Sequence, residues 1–241
     1  EPAAAREALA GHRDDALAAL FHEALDALVE GRAPDARTDL PAQYAAMWDG
    51  LGWLAAQPGA AIVGCPTQVL ERALQAARPD GLVLECGVYF GRSLTLLASR
   101  AGQQVHGFDS FQGAPGGDAG GDPVDSTAGV LPEVPGNARL HAGWFDDTLP
   151  AFFAGHAGPI RLLHVDCDLH ASAASVLRHA GERLESGSVL LFDDFIGFPH
   201  SEAHEFRAWQ EFAQARGLRW RVLAGTLLGR EVALRIEDGD A

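Results

Sequence analysis

Two short apolar runs end abruptly in acids: Leu162-Leu163-His164-Val165-Asp166-Cys167-Asp168 and Val189-Leu190-Leu191-Phe192-Asp193-Asp194. Carboxylates are the hard oxygen ligands that divalent cations such as magnesium prefer. Asp166, Asp168, Asp193 and Asp194, if gathered at one rim, repel one another unless something positive is present, so they form a candidate cation site. A lone acid at such a place is as well suited to capping a helix, and Asp168 could cap one that begins near His170. Two acidic strand ends in consecutive units favour the cation.

Positioning these acids requires a parallel sheet. Short apolar runs bounded by polar residues suit strands buried on both faces. In open α/β sheets, ligands bind beyond the carboxyl ends of the strands. A third such strand, Gly81-Leu82-Val83-Leu84-Glu85-Cys86-Gly87, leads through Gly91-Arg92-Ser93 into a helix and then into Gln104-Val105-His106-Gly107-Phe108-Asp109. This is a β-α-β unit with a glycine turn and a second acidic strand end, a pattern that binds adenosine-containing cofactors, with Asp109 set to accept ribose hydroxyls. A pyrophosphate calls for G-x-G-x-x-G at the helix N-terminus. Here Tyr89 and Phe90 fill the tight positions and Glu85 adds negative charge. That composition suits a ligand with an amino or sulfonium group, such as S-adenosylmethionine.

Composition narrows the chemistry. The chain has 241 residues, 47% of them hydrophobic, enough for one large α/β domain with an appendage. The net charge of −15 argues against nucleic acid and against an anionic membrane surface as partners. No apolar run approaches membrane-span length and no signal-peptide pattern is present, so a soluble, cytoplasmic protein is expected. All 18 basic residues are arginine. That removes the P-loop lysine, Schiff-base chemistry and any lysine base. Cys65, Cys86 and Cys167 lack zinc or redox spacing and read as reduced thiols.

The remaining elements frame this unit. Residues 1–30, about 41–57 and a stretch after Cys65-Pro66-Thr67 carry helical periodicity, with Thr67 a candidate N-cap. They divide the chain into an N-terminal helical extension or lid, residues 1–79, and a cofactor-binding domain, residues 80–241. The extension is expected to pack over the sheet, cover the ligand or make a subunit contact, the last implying a homodimer. Residues 110–136 are glycine-rich and read as a mobile cover or as disorder. Trp144 and Phe145 follow a short strand, as stacking partners for an adenine or as core. A long helix over 200–216 precedes two closing strands, 218–223 and 231–236, spaced to pair antiparallel.

Taken in order, Leu84-Glu85-Cys86-Gly87-Val88-Tyr89-Phe90-Gly91-Arg92-Ser93, His106 to Phe111, Gly143 to Pro150, Val165-Asp166-Cys167-Asp168-Leu169-His170-Ala171-Ser172 and Phe192 to Phe195 resemble the macrocin/mycinamicin/novobiocin-type sugar O-methyltransferases. The resemblance covers roughly residues 80–236. It implies a class I methyltransferase, Rossmann-like sheet of seven strands with the last antiparallel. It implies S-adenosylmethionine on Glu85, Gly87, Val88, Tyr89, Ser93, Asp109, Ser110, Gly143, Trp144, Phe145 and Asp166, and Mg²⁺ on Asp166, Asp193 and Asp194. The acceptor is expected to be a small-molecule hydroxyl, on a sugar or another natural-product diol, with Asp168 or His170 as base. His170 stands where the family pattern has tyrosine. Two alternatives are a nicotinamide-dependent oxidoreductase and a non-catalytic S-adenosylmethionine-binding relative.

Overall fold

The computed structural model describes residues 2–12, 14–113 and 126–238. Eight strands build one sheet: β1 (Ala61–Val63), β2 (Leu82–Cys86), β3 (Val105–Asp109), β4 (Ala138–Ala142), β5 (Ile160–Val165), β6 (Val189–Phe192), β7 (Trp220–Thr226) and β8 (Val232–Ile236). Their order is β1-β7-β8-β6-β5-β2-β3-β4. Only β8 runs antiparallel to its neighbours, β6 and β7. Strands β2 to β8 supply the expected seven; β1 is an additional three-residue edge strand, parallel to β7. The order reverses between β2 and β5, both parallel to each other, and this is where a doubly wound sheet opens its ligand crevice.

Alternation along each strand sends side chains to two layers. Val83, Leu162, Val189 and Leu191 pack under α4 (Pro66–Ala76) and α5 (Arg92–Ala101). Leu84, Cys86, Leu163, Val165 and Phe192 pack under α6 (Phe145–Gly155), α7 (His170–Ala180) and α8 (Glu205–Arg216). By the same alternation Glu85 and His164 fall on the α4–α5 side, where an apolar residue is the rule. Helices α2 (Ala16–Glu30) and α3 (Ala42–Ala55) form a smaller cluster around Leu20, Trp48 and Leu51. The segment before residue 80 therefore contributes both a strand and a covering helix to the sheet.

Several local expectations shift. The helix expected over 1–30 is interrupted: α1 (Pro2–Leu9) gives way to a 3₁₀ turn at Ala10–His12, and Asp15 caps α2 by accepting from Ala18 N at 2.8 Å. Helix α4 is capped by Cys65, with Pro66 in the first turn, and not by Thr67. Helix α8 begins at Glu205, after a short 3₁₀ turn at Ser201–Ala203. Residues 114–125 of the glycine-rich loop lie outside the described residues.

Candidate active site

The carboxyl ends of β2, β3, β5 and β6 meet at one rim. Gly87 makes the approach possible: its φ is +97°, and a Cβ there would lie 1.5 Å from the carbonyl oxygen of Asp166. The turn after β2 is then fixed by Asp109, whose Oδ2 accepts from Val88 N and Tyr89 N, both at 2.8 Å, while Oδ1 accepts from Phe111 N at 2.7 Å. The residue expected to meet a ribose thus also shapes the turn that would cradle it. Ser110 closes the next turn, its hydroxyl donating to Gly113 O at 3.1 Å. Gly143 N donates to Asp109 O at 2.9 Å, which brings the β4 turn to the same rim.

Glu85 lies behind the turn, fully buried. Its carboxylate accepts from Ser93 Oγ at 3.1 Å and sits 2.9 Å from His164 Nδ1. Strand register places the two side by side: Glu85 pairs with His164 across β2 and β5. Burial alone lowers an imidazole pKa. Here the hydrogen bond and charge of Glu85, with Asp166 and Asp193, outweigh it and push His164 up to about 9. His164 is drawn toward its charged form beside the acidic rim, and sequence reasoning missed it. The one signal was a histidine inside an otherwise apolar strand.

His164, Asp166 and Asp193 each offer a ligand atom within 4.8 Å of the others. Burial raises the pKa of both aspartates and His164 opposes the shift; like charge from Asp193, Glu85 and Asp168 adds to the rise on Asp166, and from Glu231, Asp194 and Glu85 to that on Asp193. Asp194 is not in this group. Its Oδ1 accepts from Arg230 at 2.9 Å, and Arg230 also lies over the Phe198 ring. Of the expected metal ligands, the fold therefore brings Asp166 and Asp193 together and turns Asp194 toward an arginine.

Two acid-bearing loops are held from below by α8. Glu205, fully buried, accepts from Cys167 N at 3.1 Å and from Asp194 N at 3.3 Å. His204 Nδ1 lies 3.1 Å from the carbonyl of Asp168. Burial raises the Glu205 pKa to about 8, against the pull of those two amides. Sequence gave no hint of this role, because an acid in the first turn of a helix ordinarily reads as a solvated partner for its N-terminus.

The two candidate bases separate. Asp168 is exposed at φ +58°, and the cap of α7 is Leu169, so Asp168 does not cap that helix. His170 Nε2 lies 2.9 Å from Glu211 Oε2 on α8. Trp144 and Phe145 also part: Trp144 is exposed at the start of α6, and Phe145 packs against the core. Asp146 leaves the rim, binding Ser175, Arg178 and His179 on α7, which holds its carboxyl down at about 2.

Comparison with known proteins agrees with this geometry. Residues 84–195 match a family profile described as a methyltransferase domain. The chain is 29% identical over 170 residues to the 8-demethyl-8-(2,3-dimethoxy-α-L-rhamnosyl)-tetracenomycin-C 4′-O-methyltransferase of Streptomyces olivaceus, a match covering 57% of this chain. It spans 63% of that relative's length. Among solved structures, the O-methyltransferase NovP superposes with a TM-score of 0.55 at 19% identity, over 71% of this chain and 79% of its own. The calicheamicin methyltransferase CalS11 superposes with a TM-score of 0.54 at 23% identity, over 70% of this chain and 76% of its own. Sheet order and profile match concur: residues 84–195 match the methyltransferase-domain profile, and the chain resembles the natural-product O-methyltransferases.

Proposed function

We propose that this protein is an S-adenosylmethionine-dependent O-methyltransferase that modifies a hydroxyl of a natural-product sugar, with Mg²⁺ at the acidic rim. The observation that carries the reading is the convergence of Asp166 and Asp193 beside the Glu85–His164 pair, next to the Asp109 turn. The sugar assignment draws on the relative named for methylating a rhamnosyl tetracenomycin.

The residues present suit both absent groups. Asp109, Asp166 and Asp193, with Glu85 buried behind them, make an acid-rich crevice, fitted to a cationic sulfonium and unfitted to a pyrophosphate. Bound there, S-adenosylmethionine would supply an electrophilic methyl group. Two neighbouring carboxylates of raised pKa gain from a divalent charge, and Mg²⁺ is commonly held by one or two carboxylates with water or substrate completing its shell. Asp166 and Asp193 would hold the ion, which would supply Lewis acidity to the acceptor oxygen.

The chain's own contribution is placement and proton transfer. Asp109 fixes the turn, and Glu85 and His164 fix the neighbouring strand ends. Such positioning supplies about 7–11 kcal/mol of a bimolecular barrier. Asp168, exposed on the same loop as Asp166, would take the proton that the acceptor hydroxyl gives up on methylation. General-base assistance of this kind is worth about 10²–10⁴-fold.

The test is transfer of labelled methyl from S-adenosylmethionine to a panel of rhamnosylated polyketides, with Mg²⁺ and with excess EDTA. Mg²⁺-dependent transfer supports the reading. S-adenosylmethionine binding with no transfer to any acceptor would favour a non-catalytic relative, and undiminished transfer in EDTA would remove the metal.

A further inference from the structure

The acids around the rim differ in what holds them. Ser93 and His164 hold Glu85, three backbone amides hold Asp109, Arg230 holds Asp194, two amides hold Glu205 and Thr226 holds Glu231. Asp166 and Asp193 stand apart: among the described residues no hydrogen bond reaches either carboxylate. Strand register brings these two together. Strands β5 and β6 are parallel with Val165 opposite Phe192, so the next residues, Asp166 and Asp193, fall side by side. His164, two residues before Asp166, lies on the same face of the sheet.

His164 is only 5% exposed. Its Nδ1 lies 2.9 Å from Glu85, and among the described residues no hydrogen bond engages Nε2. A carboxylate that accepts from Nδ1–H leaves the lone pair on Nε2 and fixes the ring, the usual support of a metal-binding histidine. A small cavity of about 60 Å³, bounded by His164, Asp193 and Ser93, adjoins the group and has room for water ligands of an ion. The third oxygen expected from Asp194 is turned to Arg230, while the third donor within 4.8 Å of the two carboxylates belongs to an imidazole. Mg²⁺ is a hard ion that takes oxygen ligands, whereas imidazole suits first-row transition metals, with affinity rising from Mn²⁺ to Co²⁺.

Resting on the cation site read above, we propose that His164 Nε2 is the third protein ligand, in the place expected of Asp194, and that this nitrogen makes the site favour a transition-metal ion such as Mn²⁺ or Co²⁺ over Mg²⁺. The ion displaces a proton from that nitrogen as it binds. Glu85 then supports the ion through the imidazole as well as joining the two strands.

Pulsed electron paramagnetic resonance of the full chain with Mn²⁺ and S-adenosylhomocysteine tests the ligand directly. Wild type is expected to show coupling of the ion to nitrogen-14, replaced by nitrogen-15 lines in protein grown with nitrogen-15 histidine. His164→Gln is expected to lose the coupling, and the wild-type comparison stands by itself if that variant does not fold. In competition titrations Co²⁺ is expected to bind at least about tenfold more tightly than Mg²⁺, with that margin reduced about tenfold in His164→Gln. Mn²⁺ bound without histidine nitrogen coupling, coupling that persists in His164→Gln, or Mg²⁺ bound as tightly as Co²⁺ overturns the inference and leaves the two-carboxylate site standing. No metal bound while S-adenosylhomocysteine binds overturns both the inference and the metal in the proposed function. Failure of S-adenosylhomocysteine to bind overturns the cofactor reading on which both rest.

Discussion

The imidazole of His164 and the carboxylate of Glu85 lie 2.9 Å apart on adjacent strands, both closed off from solvent. Removing one member of a buried pair strands the other charge, at a cost of about 3–5 kcal/mol, whereas replacing both with apolar residues is close to neutral. His164→Leu should therefore lower stability by that amount in urea denaturation. The double variant Glu85→Leu/His164→Leu should recover most of it. A His164→Leu protein as stable as wild type would show that the pair is not what holds these strand ends.

Glu205 ties together the loops that carry Asp166 and Asp194. Glu205→Gln keeps the shape but turns one oxygen into a donor that faces a backbone N–H, a mismatch worth about 1–3 kcal/mol. Supporting groups of this kind change metal affinity or turnover by about 10–100-fold. The expected result is a weaker metal site and a lower kcat, with KM for S-adenosylmethionine unchanged. Equal losses in kcat and cofactor binding would indicate general loosening instead.

Arg230 neutralises Asp194 and lies near the proposed cation site. Arg230→Gln removes that charge and frees the carboxylate. Because the guanidinium is about half exposed, solvent screening limits the gain to ~1 kcal/mol. Divalent-ion affinity should rise several-fold in Mn²⁺ titrations. Unchanged or weaker affinity would show that Asp194 contributes nothing to the ion.

A second histidine group lies under the other layer of the sheet. His106 Nδ1 is 3.1 Å from His141 Nε2, with His156 and Phe152 packed against the His106 ring. Burial, then the neighbouring His141, His156 and Arg139, lowers the His106 pKa to about 4, and burial lowers that of His141. A depressed folded-state pKa means that the stability is fully present above the unfolded value near 6.5 and is lost as pH falls toward 4. Urea midpoints should decline across that window, and less steeply in His106→Gln. Parallel curves for the two proteins would exclude this group as the source.

Much of this architecture was legible because strands buried on both faces must be apolar throughout, so the acids that end them stand out. Of the four acids expected at one rim, Asp166 and Asp193 lie together and Asp194 turns to Arg230; the Asp109 turn lies where expected. Partnerships across long separations were not legible. Arg230 reaches Asp194 over 36 positions and His204 reaches Asp168 over the same number, and neither leaves a local trace. Helix α6 was obscured by Pro150 within it, and β1 by its length of three residues. His164 could have been found by aligning the two strands in parallel register, which puts it opposite Glu85.

The central claim is that Asp166 and Asp193 hold a divalent cation beside the cofactor. Electron paramagnetic resonance of Mn²⁺ with the S-adenosylhomocysteine complex tests it most directly, in wild type and Asp193→Asn. One bound ion in wild type, lost in the variant while S-adenosylhomocysteine still binds, is the expected result. Mn²⁺ bound equally well by Asp193→Asn, or by neither protein, would contradict it.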